Sequence, residues 1–188
     1  HSITSRSVVV RGPARAVTVA RLSNGTHYFH LSDALPSQPE PAATRRTVRI
    51  YWDRSRSRRD QVATEIEQLR HYLASLRPEW IDIVSFSSGD VVAQKLYSVD
   101  AAIGHLRMFD YRGGTSLAGI DALAIDKADQ CLLFTDGRST LDAGAPFRPQ
   151  CPLTIVTGSP TAATTRLATL ATAAHGNLLV LGALREPT

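Results

Sequence analysis

The sequence predicts an α/β protein: a doubly wound, mostly parallel six-stranded sheet with helices on both faces, preceded by a small β appendage. Three observations lead there. From residue 47 onward, short apolar runs alternate with stretches of helical period, and alternation of that kind makes parallel strands joined by right-handed crossovers. The runs "CLLFT", "LTIVT" and "LLVL" are continuously apolar, as strands covered on both faces must be. The first 44 residues differ: they hold β-type runs and turn signals without helical period.

In chain order, Ser7–Val10 and Ala16–Val19 are β-type runs separated by Gly12-Pro13. Asn24-Gly25 is a hairpin signal between Val17–Leu22 and Thr26–Leu31. Residues 1–34 are thus expected to form a β-hairpin appendage. "LPSQPEPAATRR", residues 35–46, has three prolines and no periodicity and reads as a linker. The main domain is expected over residues 47–185. Thr47–Trp52 is its first strand. Asp60–Leu76 is a helix, because Val62, Ile66, Leu69, Leu73 and Leu76 form one apolar stripe. Ile81–Phe86 is a strand, and the alternating Val92–Tyr97 suits a sheet edge. Ala101–Met108 and Leu117–Ile125 are expected as short helices. Cys131–Thr135 and Leu153–Thr157 are strands. Thr164–Ala174 is a helix stopped by Gly176, and Leu178–Leu181 is the last strand.

Composition narrows the class. No apolar run reaches the roughly 18 residues of a membrane span. A net charge of +4 is too mild to argue for nucleic acid by itself. Cys131 and Cys151 do not make a disulfide framework or a zinc site and are expected as two small buried hydrophobes. A chain opening on His1, with no signal peptide, is expected to be an excised piece of a longer protein.

In open α/β sheets, ligands bind beyond the carboxyl ends of the strands, where strand order reverses. Asp53 directly follows the first main-domain strand, and Asp136 follows "CLLFT". If those strands are neighbours, two carboxylates share one dry crevice, so one is protonated or a cation lies between them. The spacing favours the cation. Asp53-x-Ser55-x-Ser57 sets three oxygen-bearing side chains on alternate positions of one loop, and Thr115 follows the flexible Gly113-Gly114. Two carboxylates and three hydroxyls form a hard oxygen set suited to Mg2+, or to Ca2+ or Mn2+, and not to zinc.

"DRSRS" at 53–57, "GGT" at 113–115 and "TDG" at 135–137 together resemble a von Willebrand factor type A (VWA) domain with its metal-ion-dependent adhesion site. The resemblance spans about residues 46–184 and implies a Rossmann-like sheet with the first and fourth main strands adjacent. It further implies that Ser55, Ser57 and Thr115 bind the metal directly, and Asp53 and Asp136 directly or through water. A partner's Asp or Glu carboxylate would fill the open position. The "IYWD" lead-in and the β-rich segment before it are similar to bacterial members of the inter-alpha-trypsin-inhibitor-like type. The expected compartment is the extracytoplasmic part of a bacterial membrane-associated protein. One departure stands out: Arg56 occupies a position that is often glycine in that family.

The expected function is therefore a metal-dependent protein-interaction module and not an enzyme. Arg54, Arg56, Arg58, Arg59, Arg112 and Arg138 surround the site; as a solvated rim, Arg54, Arg56, Arg112 and Arg138 would favour an acidic partner. Ser57-x-x-Asp60 also fits a helix-capping pattern, so Ser57 has a purely structural alternative. A Mg2+-dependent phosphatase-like hydrolase using Asp53 as nucleophile is a second reading, weakened by Ser55 where a general acid is needed. A nucleic-acid binder using the basic rim is a third, weakened by the scarcity of aromatic side chains near the site.

Overall fold

A computed structural model describes residues 46–88, 90–121, 123, 126–138 and 147–181 with their side chains, and the backbone of 8–11, 15–21 and 27–33. The chain divides into two compact units, His1–Thr44 and Arg45–Thr188. In the first, β1 (Val8–Arg11), β2 (Arg15–Arg21) and β3 (His27–Asp33) form an antiparallel sheet in the order β1-β2-β3. The register Arg21↔His27 brackets the Asn24-Gly25 signal, whose residues, like most of the expected linker, lie outside those described.

The second unit is the expected six-stranded α/β sheet. Its elements are β4 (Thr47–Asp53), α1 (Val62–Leu76), β5 (Trp80–Phe86), β6 (Val91–Leu96), α2 (Val99–Arg107), β7 (Gln130–Phe134), β8 (Leu153–Thr157), α3 (Thr164–Ala173) and β9 (Asn177–Val180). Strand order is β6-β5-β4-β7-β8-β9. All pairs are parallel except β5–β6, which form an antiparallel hairpin at one edge. The chain winds outward from β4 in both directions, so the switch point falls between β4 and β7. That adjacency is the one the paired aspartates require.

Alternation along β4 feeds two cores. Val48, Ile50 and Trp52 face α1 and α2; Tyr51 faces the opposite side with Leu133, Ile155 and α3 residues Leu167 and Ala171. The α1 stripe is buried as expected at Val62, Ile66, Leu69 and Leu73. Arg77, in left-handed conformation, closes the helix by donating its N–H to the Leu73 carbonyl, and Pro78 prevents continuation. Ser98 caps α2 by accepting from the Ala101 N–H at 3.1 Å. Beside α1, β7–β9 leave an apolar groove of about 420 Å³ that Leu69, Tyr72, Phe134 and Leu179 help to line. No helix among the described residues is long and apolar enough to cross a membrane.

Two expectations are corrected. Leu117–Ile125 is not a helix in its described part: residues 118–121 and 123 form turns. Gly119 takes φ +73°, which breaks the helical path, while Leu117 and Ile120 are still buried against the second core. Burial of a looped segment thus mimics an amphipathic helix in the sequence. The cysteines, secondly, are not separate thiols. Cys131 and Cys151 are joined in a disulfide, with Cα atoms 5.5 Å apart. The start of β7 and the approach to β8 are neighbours across the parallel pair, so residues 20 apart in sequence meet at the amino edge of the sheet.

Candidate metal centre

Three loops at the carboxyl edge build the site. The first leaves β4 at Asp53. The Arg54 N–H extends the ladder by one bond to the Phe86 carbonyl (2.8 Å), and the Ser55 N–H donates to Asp53 Oδ1 (2.8 Å). A short 3-10 turn, Arg56–Arg58, then brings Ser57 Oγ to 3.2 Å from Ser55 Oγ. Ser57 therefore does not cap α1: it sits inside the turn, and Gln61 holds the cap position without a side-chain bond.

The second loop is clamped to the first by its backbone. The Arg112 N–H donates to the Arg54 carbonyl (3.0 Å), and the Arg56 N–H donates to the Gly113 carbonyl (3.1 Å). Gly113 adopts φ +67°, and a Cβ there would lie 2.7 Å from Ser88 Oγ. This close approach carries Thr115 inward, where its hydroxyl lies 3.3 Å from both Asp53 oxygens.

The third loop follows β7. Thr135 donates its hydroxyl to Asp53 Oδ2 at 2.7 Å and accepts from the Gly137 N–H at 3.1 Å. Asp136 Oδ1 accepts from the Arg138 N–H at 3.0 Å, whereas Asp136 Oδ2 is buried with no hydrogen-bond partner among the described residues. Gly137 needs its φ of +69°, since a Cβ would lie 2.7 Å from Leu167 of α3. The Ala163 N–H, just before α3, donates to the Asp136 carbonyl (2.8 Å) and fixes the loop from behind.

Asp53, Ser55, Thr115 and Asp136 are all buried, and Ser57 is exposed at the lip. Burial pushes the Asp53 carboxyl above the usual carboxylate range; the Arg58 guanidinium and the bonds from Thr135 and Ser55 oppose that rise. The donor set fits a hard divalent cation. A buried carboxylate oxygen is left without a partner, which costs on the order of 1–3 kcal/mol or more for a charged group. Asp53, with the Ser55 N–H and the Thr115 and Thr135 hydroxyls around it, ends the neighbouring strand. Among the described residues, no three or more His, Cys, Asp or Glu side chains cluster in a way that could hold an ion, so the candidate set consists of two carboxylates with hydroxyls.

The arginines do not form one rim. Arg58 is fully buried: it points under the loop, 5.4 Å over the Trp52 ring, and pairs with Glu65. The expectation that it surrounds the site at the surface is thereby corrected. A guanidinium can enter the core here because α1 offers it a carboxylate and β4 an aromatic face. Arg54 is half-buried, over the Phe109 ring at 5.4 Å. Arg56, Arg112 and Arg138 are exposed, and Arg112 pairs with Asp110.

Three contributors escaped the sequence reading. Thr135 was visible in "TDG" as the residue before Asp136, but its bond to Asp53 depends on the β4–β7 pairing. Glu65 lies on the stripe face, three residues after Val62 and four before Leu69, and that acid among apolar positions was the available signal. Tyr111 accepts the Trp52 indole N–H on its hydroxyl at 2.7 Å and ties the second loop to β4.

No family model matches the chain, and no curated protein matches it. Solved structures do. Proximal thread matrix protein 1 from the mussel byssus is similar with a TM-score of 0.53 and 18% identity, over 72% of this chain and 43% of that one. The SpRpn10 VWA domain is similar with a TM-score of 0.47 and 11% identity, over 73% of this chain and 87% of that one. The pilus adhesin SpaC from Lactobacillus rhamnosus GG, in an open conformation, gives 0.43 and 15%, over 93% and 27%. At such identities the likeness is one of fold. The chain spans 43% of the length of the mussel protein it matches.

Proposed function

We propose that residues 45–188 form a metal-dependent protein-interaction module of the VWA type, in which Mg2+ is held by Asp53, Ser55, Ser57, Thr115 and Asp136. The observation that carries this reading is the orphaned, buried Oδ2 of Asp136 at the end of β7, the strand next to the one that ends in buried Asp53 and its bonded hydroxyls. Ca2+ or Mn2+ would suit the same oxygens. Bound there, the ion supplies a hard acceptor for a carboxylate arriving from outside. The chain's own residues do the rest. Asp53 orients the Ser55 backbone and the Thr115 and Thr135 hydroxyls, the two glycines let the loops close, and exposed Arg56 and Arg138 attract an Asp or Glu on a partner protein, while Arg112 is paired with Asp110. The fold-level likeness to a byssal thread matrix protein accords with an interaction role.

The setting of Asp53 argues against a phosphatase nucleophile, since it is fully buried and both its oxygens accept hydrogen bonds. A nucleic-acid role loses Arg58, which is buried, and Arg112 is engaged by Asp110. The Cys131–Cys151 disulfide favours an oxidising compartment, in keeping with an extracytoplasmic site of action.

Titration calorimetry with Mg2+ tests the reading. The unmodified protein should bind one ion per chain, and Asp53→Ala should lose at least about ten-fold in affinity, the ~1.4 kcal/mol of a single lost charged contact. Equal binding by both would refute the site.

A further inference from the structure

A buried ion pair sits beneath the candidate metal loop without belonging to it. Arg58 Nη2 lies 2.6 Å from Glu65 Oε2, Nη1 donates to Oε1 at 3.1 Å, and both side chains are fully buried. Glu65 Oε1 also accepts the Gly158 N–H at 2.7 Å, in the turn between β8 and α3. The approach is tight enough that a Cβ on Gly158 would lie 3.3 Å from the Glu65 Cγ. On its other side the Arg58 guanidinium covers the Trp52 ring, whose N–H bonds Tyr111 in the loop leading to Thr115. Arg58 directly follows Ser57, so its side chain anchors one end of the Ser55–Ser57 turn.

Pairs of this kind are poor stabilisers. Desolvating both ions costs about as much as their attraction returns, and apolar replacements of similar volume are often neutral or better. A pair of that cost, set in the first loop, joined to the second through Trp52 and Tyr111, and bonded to the β8–α3 turn whose Ala163 N–H holds the Asp136 carbonyl, is better explained by position than by stability.

We infer that the Arg58–Glu65 pair is a positioning device for the metal loop, holding Ser55 and Ser57 in register with the second loop through Trp52 and with the β8–α3 turn, which backs the third loop, through Gly158. The inference rests on the metal reading given above. Arg58 and Glu65 are positioning residues: neither touches the ion, and each acts through the backbone it anchors. Without the pair, the 3-10 turn would keep its sequence and its hydroxyls but lose the fixed floor that aims them.

Two variants keep the net charge beneath the site unchanged, so they separate geometry from field. Arg58→Met combined with Glu65→Leu removes a neutral pair; Arg58→Lys keeps the charge but not the two-pronged contact. Calorimetry with Mg2+ and thermal melting without it read the two roles apart. The double variant is expected to melt near the unmodified protein while binding Mg2+ at least about ten-fold more weakly, and Arg58→Lys several-fold more weakly. Mg2+ affinity within two-fold of the unmodified protein in either variant that folds would overturn the inference. An unmodified protein that binds no Mg2+ would instead sink the metal reading, and the inference with it.

Discussion

The two edges of the main sheet are built on opposite rules. At the amino edge most polar groups pair with one another, although Arg49 Nη1 is buried without a hydrogen-bond partner among the described residues. Thr47 and Asp129 exchange bonds, Thr47 giving its N–H and hydroxyl to Asp129 Oδ2 at 2.7 and 2.8 Å and its Oγ1 accepting the Asp129 N–H at 3.0 Å. The disulfide closes the same edge covalently. Arg49 faces Asp82 across the β4–β5 register at 2.8 Å, an ion pair set directly by strand pairing. At the carboxyl edge, carboxylates that end neighbouring strands are both buried, one oxygen of Asp136 has no partner, and Gly113 and Gly137 sit at positive φ against side chains that would have to shift for any Cβ. Here the ion pair, Arg58–Glu65, joins a loop to a helix. On the proposed reading, the amino edge serves stability and the carboxyl edge serves binding, along a single set of strands.

Breaking the amino edge should give the largest loss of stability with the least effect on binding. Reduction of the disulfide, whose cysteines are 20 apart, should cost about 3 kcal/mol, a melting drop of roughly 6–12 °C. Mg2+ affinity of the reduced protein, measured below its melting range, should stay unchanged; a parallel loss would show that the edges are coupled. Gly137→Ala comes next. It forces a Cβ toward Leu167 in a left-handed residue and should cost about 1–3 kcal/mol. In contrast to reduction, it should weaken Mg2+ binding as well, because Asp136 is its neighbour. Thr135→Val is milder, about 1 kcal/mol by urea unfolding, with the Asp53 carboxylate losing a donor.

The smallest effect is a pH slope. His105 packs edge-on against Phe109, and burial lowers its pKa, so the folded state prefers neutral imidazole. Its contribution is present above the unfolded value near 6.5 and is lost as pH falls through the lower folded value. Asp53 and Glu65, raised by burial, have the opposite sign: their contribution is present below the unfolded carboxylate values and lost as pH rises. Comparing urea midpoints at pH 7.5 and 5.5, the unmodified protein should lose more on acidification than His105→Gln, in which both carboxyls are retained. Identical slopes would remove His105 from the account.

Much of this was legible in residues. Period 3.6 in Val62–Leu76 marked α1, unbroken apolar runs marked β7 and β8, and alternation in Val92–Tyr97 marked the edge strand, found at Val91–Leu96. Asp53 and Asp136 could be chosen because strand ends are fixed by local pattern, Ser55 and Ser57 by their alternate spacing after Asp53, and Thr115 by the glycine pair before it. Leu117–Ile120 misled because burial, and not helicity, selects apolar side chains. Arg58 misled because charge alone suggests solvent, whereas its partner lies seven residues away on a helix.

By itself, then, the sequence determined the order of the six main strands and the helices α1, α2 and α3 between them, and the chemical type of the residues at the carboxyl edge, since these follow from local periodicity and donor chemistry. Only the tertiary structure decided that Thr135 serves Asp53, that Cys131 meets Cys151, and that Arg58 lies beneath the site and not around it. Each of those contacts joins segments whose approach is set by strand pairing and helix packing, and no local pattern encodes such a meeting.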